Sequence, residues 1–213
     1  MRVVQTLAAL SLVWVMGVVQ ADEPLPDQWS YLSLGSHWKV SSMLDGQVYS
    51  SDGRPVGQLH DLIFDHEGGL RRLVVESETR GGWRYLALKW GETRYSSAVD
   101  SLTLDVSMAE IEAMEWHEQP DFAGDDYEAS NLVGLLVDAG EATRWGQVTD
   151  LLIAPAERGI SALVVQSLGV GRLQYAVPPN WSGVDYGEHR ASLPYSSAVI
   201  EEQGRMGSGQ SPM

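Results

Sequence analysis

The chain has 213 residues, 44% of them hydrophobic, with 14 basic and 29 acidic side chains and a formal charge of −15. That balance is the opposite of the basic face with which nucleic-acid binders neutralise phosphate, and it repels anionic lipid headgroups. No cysteine is present, which removes disulfides, thiol catalysis, cysteine-based zinc sites, iron–sulfur clusters and lipid attachment at an N-terminal Cys.

Residues 1–21 read as a signal peptide. Arg2 supplies the positive charge, and Val3 to Val19 is apolar apart from Gln5, Thr6, Ser11 and Gly17. Val19-Gln20-Ala21 offers small residues for cleavage, and Asp22-Glu23-Pro24 begins a polar mature chain. The alternative is an uncleaved anchor, for which the run is slightly short of the roughly 20 residues a span needs. The expected location is periplasmic or secreted, with no membrane insertion after cleavage. Removing residues 1–21 takes away one positive charge and no negative one, so the mature chain is more acidic still. Residues 22–41, with Trp29, Tyr31 and Trp38, read as a strap packed on the first copy of a repeat.

That repeat organises the rest of the chain. Gly57-Gln58-Leu59-His60-Asp61-Leu62-Ile63 returns as Gly146-Gln147-Val148-Thr149-Asp150-Leu151-Leu152, 89 residues on. Arg72-Leu73-Val74-Val75-Glu76-Ser77 returns as Ala162-Leu163-Val164-Val165-Gln166-Ser167, at 90. Ala87-Leu88 matches Ala176-Val177, and Ser107, Ala109, Ile111 and Glu112 match Ser196, Ala198, Ile200 and Glu201, all at 89. The offset changes only at turns, around His66–Gly69 and Arg80–Gly82. Loops absorb an inserted residue, whereas a slip inside a strand flips every side chain to the other face. Tyr95 to Val99 also recurs as Tyr195 to Val199, but at offset 100, which would leave the second copy without its last strand. That match reads as coincidence.

Copy one occupies residues 42–118. Strands are predicted over 46–49, 56–65, 70–77, 83–88 and 101–106, with turns at Ser51-Asp52-Gly53 and Glu67-Gly68-Gly69. Ser107-Met108-Ala109-Glu110 is a capping box opening a helix that Pro120 ends, with Val106 and Ile111 spaced for a staple and Met108, Ile111 and Met114 on one face. An acidic linker spans 119–129 and copy two spans 130–203. Its closing helix, near Ser196–Gln203, reads as weaker because Val199 replaces the capping Glu. Residues 204–213 read as a disordered tail.

Leu44-Asp-Gly-Gln-Val-Tyr49, Asp52-Gly53, Gly57 to Asp65 and Leu73-Val-Val-Glu76 resemble the PRC-barrel domain family. Copy two carries Leu132-Val-Gly134, Gly146, Asp150-Leu-Leu152 and Tyr175-Ala-Val-Pro178. The departures are Lys89 where the family has Pro, Ala154 for the second Asp of the D-L-x-x-D run, and Ala139-Gly140 in place of Asp-Gly. The resemblance implies an all-β fold of two tandem small barrels, each followed by a short helix. It also implies macromolecular docking and no catalytic residues common to the family.

The candidate chemistry is thin. His37, His60, His66, His117 and His189 show no metal-ligand spacing, and Thr149 stands at the His60 position of copy two. Asp61 and Asp150 sit mid-strand among apolar residues. A half-buried carboxylate there must find donors, and the expected role is to accept backbone amides at a bulge or turn. Arg80-Gly81-Gly82-Trp83 and Gly169-Val170-Gly171 read as hairpin loops rather than phosphate loops, since no helix follows them. Asp121, Asp125, Asp126 and Glu128 lack the EF-hand spacing. Trp83, Trp90, Trp145 and Trp181 suit core or inter-barrel packing, with an interface role as the rival. No serine has a nucleophile-elbow context.

Catalytic, cofactor and metal residues are therefore expected to be none. The expected function is an exported, non-enzymatic binding or assembly module that docks a protein partner, with no nucleic-acid partner. The alternative is a small-ligand or divalent-cation-binding protein that uses the acidic 100–141 stretch. The residues between Arg94 and Arg144 include twelve Asp or Glu and no Lys or Arg. The sequence leaves the oligomeric state open.

Overall fold

The computed structural model describes residues 37–96, 101–120, 124, 126–154, 158–169 and 171–206. The expected signal peptide, most of the strap, linker residues 121–123 and 125, and the tail from 207 onward lie outside the described residues. In the first half the elements are β1 (Trp38–Lys39), α1 (Val40–Met43), β2 (Gln47–Tyr49), β3 (Pro55–Phe64), β4 (Leu70–Thr79), β5 (Gly82–Lys89), a 3-10 turn (Trp90–Glu92), β6 (Thr93–Ser96), β7 (Ser101–Leu104) and α2 (Met108–Glu112). The second half has β8 (Tyr127–Glu128), α3 (Ala129–Leu132), β9 (Leu136–Ala139), β10 (Ala142–Ala154), β11 (Gly159–Ser167) and β12 (Gln174–Val177). A 3-10 turn (Trp181–Gly183), β13 (Val184–Asp185), β14 (Arg190–Leu193) and α4 (Ser197–Gln203) follow.

β-Branched and aromatic runs punctuated by Gly make strands, and the strands form two seven-stranded sheets. The first runs β5-β4-β3-β2-β7-β6 and the second β12-β11-β10-β9-β14-β13, so the two orders are the same. Both sheets are mainly antiparallel, with one parallel pair each, β2–β7 and β9–β14. Each ladder is an open path, so the expectation of small closed barrels holds only as far as an all-β pair of sheets.

The seventh strand of each sheet comes from the other half. β1 pairs with β10, with Trp38 opposite Ile153 and Lys39 opposite Leu152. β8 pairs with β3, with Ile63 opposite Glu128 and Phe64 opposite Tyr127. The strap is thereby corrected at its described end, because its ladder is with the second sheet and not the first. The Trp38 ring reaches back, lying edge-on to Trp90 with centroids 6.2 Å apart.

This exchange explains why alternation fails at two places. Leu62-Ile63-Phe64 and Leu151-Leu152-Ile153 are buried at every position, because both faces are covered where the halves meet. The main core is a continuous cluster running from Val40 to Ile200 across both halves, with a small satellite of Leu152, Ala162, Val164 and Ala176 on the second sheet. Met43 and Leu132, from the two exchanged helices, are both fully buried in it. A second seam joins the hairpin turns: the Leu70 amide donates to the Arg158 carbonyl at 2.8 Å, and the Ile160 amide to the Gly68 carbonyl at 2.9 Å. Glycine is required there. Gly68 has φ +81, and a Cβ on it would lie 2.3 Å from the Trp181 ring.

The capping box at Ser107 forms as expected, with the Glu110 amide donating to Ser107 Oγ and the Ser107 amide to Glu110. The helix stops at Glu112, well short of Pro120. Its last amides, Ala113 and Met114, bond three residues back, and such tightening ends a helix. The second closing helix, expected to be weaker, is the longer one at seven residues. Gly204 to Met206 are not tail: Ala176 donates to Gly204 at 2.8 Å and Met206 to Gln174 at 3.2 Å. Among the described residues no helix is long and apolar enough to cross a membrane.

The glycine that opens each repeated motif is fixed by close backbone approach. A Cβ on Gly57 would lie 2.0 Å from the Glu76 carbonyl oxygen, and one on Gly146 would lie 2.6 Å from Val165 Cγ1 and 2.9 Å from the Gln166 carbonyl. Gly57→Ala is expected to cost about 2–3 kcal/mol in urea denaturation. Gly81→Ala, which meets only Thr79 Oγ1 at 3.8 Å, is expected to stay within about 0.5 kcal/mol of the parent. Equal costs would contradict the packing argument.

Candidate functional site

The repeated aspartates are the polar centre of the molecule. Both follow a β-bulge. In β3 the register jumps between Leu59 and Asp61 against β4, leaving His60 unpaired. In β10 it jumps between Val148 and Asp150 against β11, leaving Thr149 unpaired. A bulge kinks the strand and re-aims the side chain that follows. Here it turns a carboxylate inward, and the two aspartates are only 5% and 7% exposed.

Each carboxylate is met by donors from the other half. Asp150 accepts from the Leu151 amide at 2.8 Å, the Ser41 amide at 3.0 Å and Ser41 Oγ at 2.5 Å. Asp61 accepts from the Leu62 amide at 2.7 Å, the Ser130 amide at 3.3 Å and Ser130 Oγ at 2.5 Å. Ser41 and Ser130 sit in α1 and α3, the exchanged helices. These helices have no side-chain N-cap, and the amides of Ser41 and Ser130 near their starts find their acceptor in the opposite sheet instead. The expected role of Asp61 and Asp150, accepting amides at a bulge, is what the geometry provides. Added to it is a clamp between the halves.

Around the Asp61 clamp lies an aromatic cluster. Tyr127 packs on Tyr186 at 4.9 Å and on Trp181 at 5.9 Å. The Tyr186 hydroxyl is buried without a hydrogen-bond partner among the described residues. Burial first, then Tyr127, Glu128 and Asp61, push its phenol well above the ordinary range, so it stays protonated and neutral.

The other candidates are dispersed. His60 pairs with Glu76 at 3.0 Å, and its ring meets Tyr85 edge-on. His66 lies in the β3–β4 turn, His117 bridges Tyr85 through the backbone, and His189 takes a positive φ before β14. Among the described residues no group of three or more His, Asp or Glu is placed to hold a metal.

Several of the acidic residues that the structure describes are engaged within the fold. Glu110 completes its capping box, and Glu128 accepts from Asn131 at 2.7 Å. Asp138 accepts from the Arg144 amide and from Arg190. Burial raises the Asp138 carboxyl, but the Arg144 amide and the Arg190 guanidinium outweigh burial and hold it below the usual range. Asp65 behaves alike. Burial raises it, and the Gly69 and Glu67 amides with Arg71 overcome that and keep it low. Asp65 anchors its turn, and Ala154 at the equivalent position cannot do so. Asp100, Asp121 and Asp125 lie outside the described residues.

Arg80 and Gly81 form the β4–β5 hairpin loop, closed by Thr79 Oγ1 donating to the Gly82 carbonyl at 2.7 Å. Of the tryptophans, Trp90 is buried, Trp145 packs on Tyr175 and Trp181 packs on Tyr127, while Trp83 is 49% exposed. Packing therefore accounts for three of the four. A groove of about 420 Å³ lies beside the β4–β5 hairpin, lined by Ser77, Thr79, Arg80, Gly81, Arg84 and Trp116.

Ser41, Ser130, Tyr186 and this groove are absent from the sequence-based expectations. A signal for the first two existed. The 89-residue offset also relates Trp38, Val40, Ser41 and Met43 to Tyr127, Ala129, Ser130 and Leu132, a match that starts in residues read as strap and linker, ahead of the copies as they were bounded, and was not included in the repeat.

Residues 124–200 match the family model described as PRC-barrel domain, so the second half of this chain carries a PRC-barrel domain. That stretch begins with the segment, β8 and α3, that crosses to the first sheet. No curated protein matches the chain.

The clamp predicts coupling across a separation of 109 residues. Ser41→Ala and Asp150→Ala should each cost about 2–3 kcal/mol in urea denaturation. The double variant should fall short of their sum by at least about 1 kcal/mol. Simple additivity would show that the two residues do not work as one unit.

Proposed function

We propose that the chain is an exported, non-enzymatic docking module built of two PRC-type barrels, in which the first half is a second copy of the domain matched in the other. The shared sheet order, the shared bulges and the 89-residue offset support the tandem reading. The leader-like residues 1–21 support export.

One observation carries the docking reading. Among the described residues the exposed large apolar side chains are Trp83, Leu168 and Leu173, at 49%, 55% and 38%. All three lie on the hairpins that end the sheets, β4–β5 in the first half and β11–β12 in the second. The repeated aspartates Asp61 and Asp150, in contrast, are turned inward and spent on joining the halves. Apolar side chains held in water on the corresponding hairpins of the two sheets suit association with another protein. A folded scaffold that spends its two buried aspartates on internal bonds and leaves a few large apolar groups in water at the hairpin ends favours recognition by surface over chemistry.

Site-specific photo-cross-linking in intact cells tests this. A photoreactive phenylalanine analogue at position 83 or 168 should give a discrete adduct with another protein. The same analogue at position 53, in the β2–β3 turn, should not. Identical adducts from all three positions would overturn the proposal.

A further inference from the structure

The β4–β5 hairpin has two unlike faces. Its ladder sets Ser77 opposite Arg84, Glu78 opposite Trp83 and Thr79 opposite Gly82. Side chains alternate along a strand, so Ser77, Thr79 and Arg84 share the groove face while Glu76, Glu78, Trp83 and Tyr85 share the other. Arg80, at the turn, and Trp116, which follows α2, complete the groove. Trp116 is fixed there by its indole N–H, which donates to the Ile111 carbonyl at 3.3 Å.

Neither Arg80 nor Arg84 has a carboxylate or any side-chain hydrogen bond among the described residues, whereas Arg54, Arg71 and Arg190 each pair with one. In a chain of net charge −15, two guanidiniums in one groove without a counter-charge are a local exception. They offer charge-assisted, bidentate bonds to an incoming carboxylate.

The strand beside them is open. β5 ends its sheet, and among the described residues its outer edge is covered by backbone hydrogen bonds only at Tyr85, which exchanges bonds of 2.8 Å with His117. An antiparallel strand presents its backbone groups outward at every second residue. The amide and carbonyl of Trp83 therefore face the same way, and they have no partner among the described residues. The second sheet covers its equivalent edge further, through Gly204 to Met206 on Gln174 to Ala176. Its hairpin carries Leu168 and Leu173 rather than a pair of arginines.

Resting on the docking reading above, we propose that the outer edge of β5 at Trp83 receives an extended acidic segment of a partner protein as an added strand. A carboxylate of that segment seats in the groove with Arg80 and Arg84. Main-chain bonds to Trp83 supply the strand addition, and the charge pair selects the sequence. The rival role for the two arginines is to keep the edge from pairing at all, which predicts no binding.

The test uses the purified protein at low ionic strength and a short fluorescein-labelled peptide of alternating Val and Glu, followed by fluorescence anisotropy. Saturable binding is expected, and none for the counterpart of alternating Val and Lys. Arg84→Glu should weaken binding about tenfold or more, and Arg84→Gln by less. Trp83→Pro, which removes the outward amide and leaves both arginines, should also weaken it. Arg172→Glu, the same charge change on the other hairpin, should stay within about twofold. Thermal melts establish that each variant is folded. Absence of binding, or equal loss in Arg172→Glu, would overturn the assignment. Adducts at position 83 that persist in Arg84→Glu cells, without peptide binding, would remove this site and leave the docking reading in place. Intact peptide binding without any cellular adduct would do the reverse.

Discussion

A carboxylate placed in an apolar interior must be met by donors, and in this chain the donors come from the opposite half. Asp61 cannot be satisfied by its own sheet beyond the Leu62 amide, nor Asp150 beyond the Leu151 amide. The rest is supplied by Ser130 and Ser41. Hydrogen bonds to a charged group contribute roughly 1.5–3 kcal/mol each, and an orphaned buried charge costs more. The short helices α1 and α3 are therefore tied across the molecule, and β1 and β8 go with them. The merged core and the hairpin seam at Gly68 and Gly159 follow from the same crossing.

Much of this was legible in the sequence. The repeat located both sheets because a strand tolerates no slip, and the change of offset marked turns. Gly57 and Gly146 recur because backbone from the next strand passes where a Cβ would be. Asp61 and Asp150 recur because the bulge before each points it inward. Ser107 declared a capping box, and the box is there. The false match at offset 100 also separates cleanly: Ser96 ends β6, whereas Ser196 caps α4.

What was not legible was the partner of each segment. Trp38 to Ser41 precede copy one in the chain, and proximity in sequence suggested that they strap it. Two residues of strand and four of helix carry no periodicity that names a sheet. Pairing choice lies in long-range packing, where a buried carboxylate 109 residues away decides what local propensity leaves open. The groove was illegible for a like reason. Arg80 and Arg84 look like ordinary surface charge until the Tyr85–His117 bridge brings Trp116 beside them. The functional reading therefore rests on what the two sheets leave outside, with the inward groups accounted for by the crossing.

If the exchanged segments fuse the halves into one cooperative unit, the two sheets must share their stability. Native-state hydrogen exchange on the intact chain measures this directly. The account predicts that β3–β4 and β10–β11 amides open with the same free energy, and that Ser41→Ala lowers both sheets by the same amount. Loss of protection confined to β10 and β11, with β3 and β4 unchanged, would contradict it.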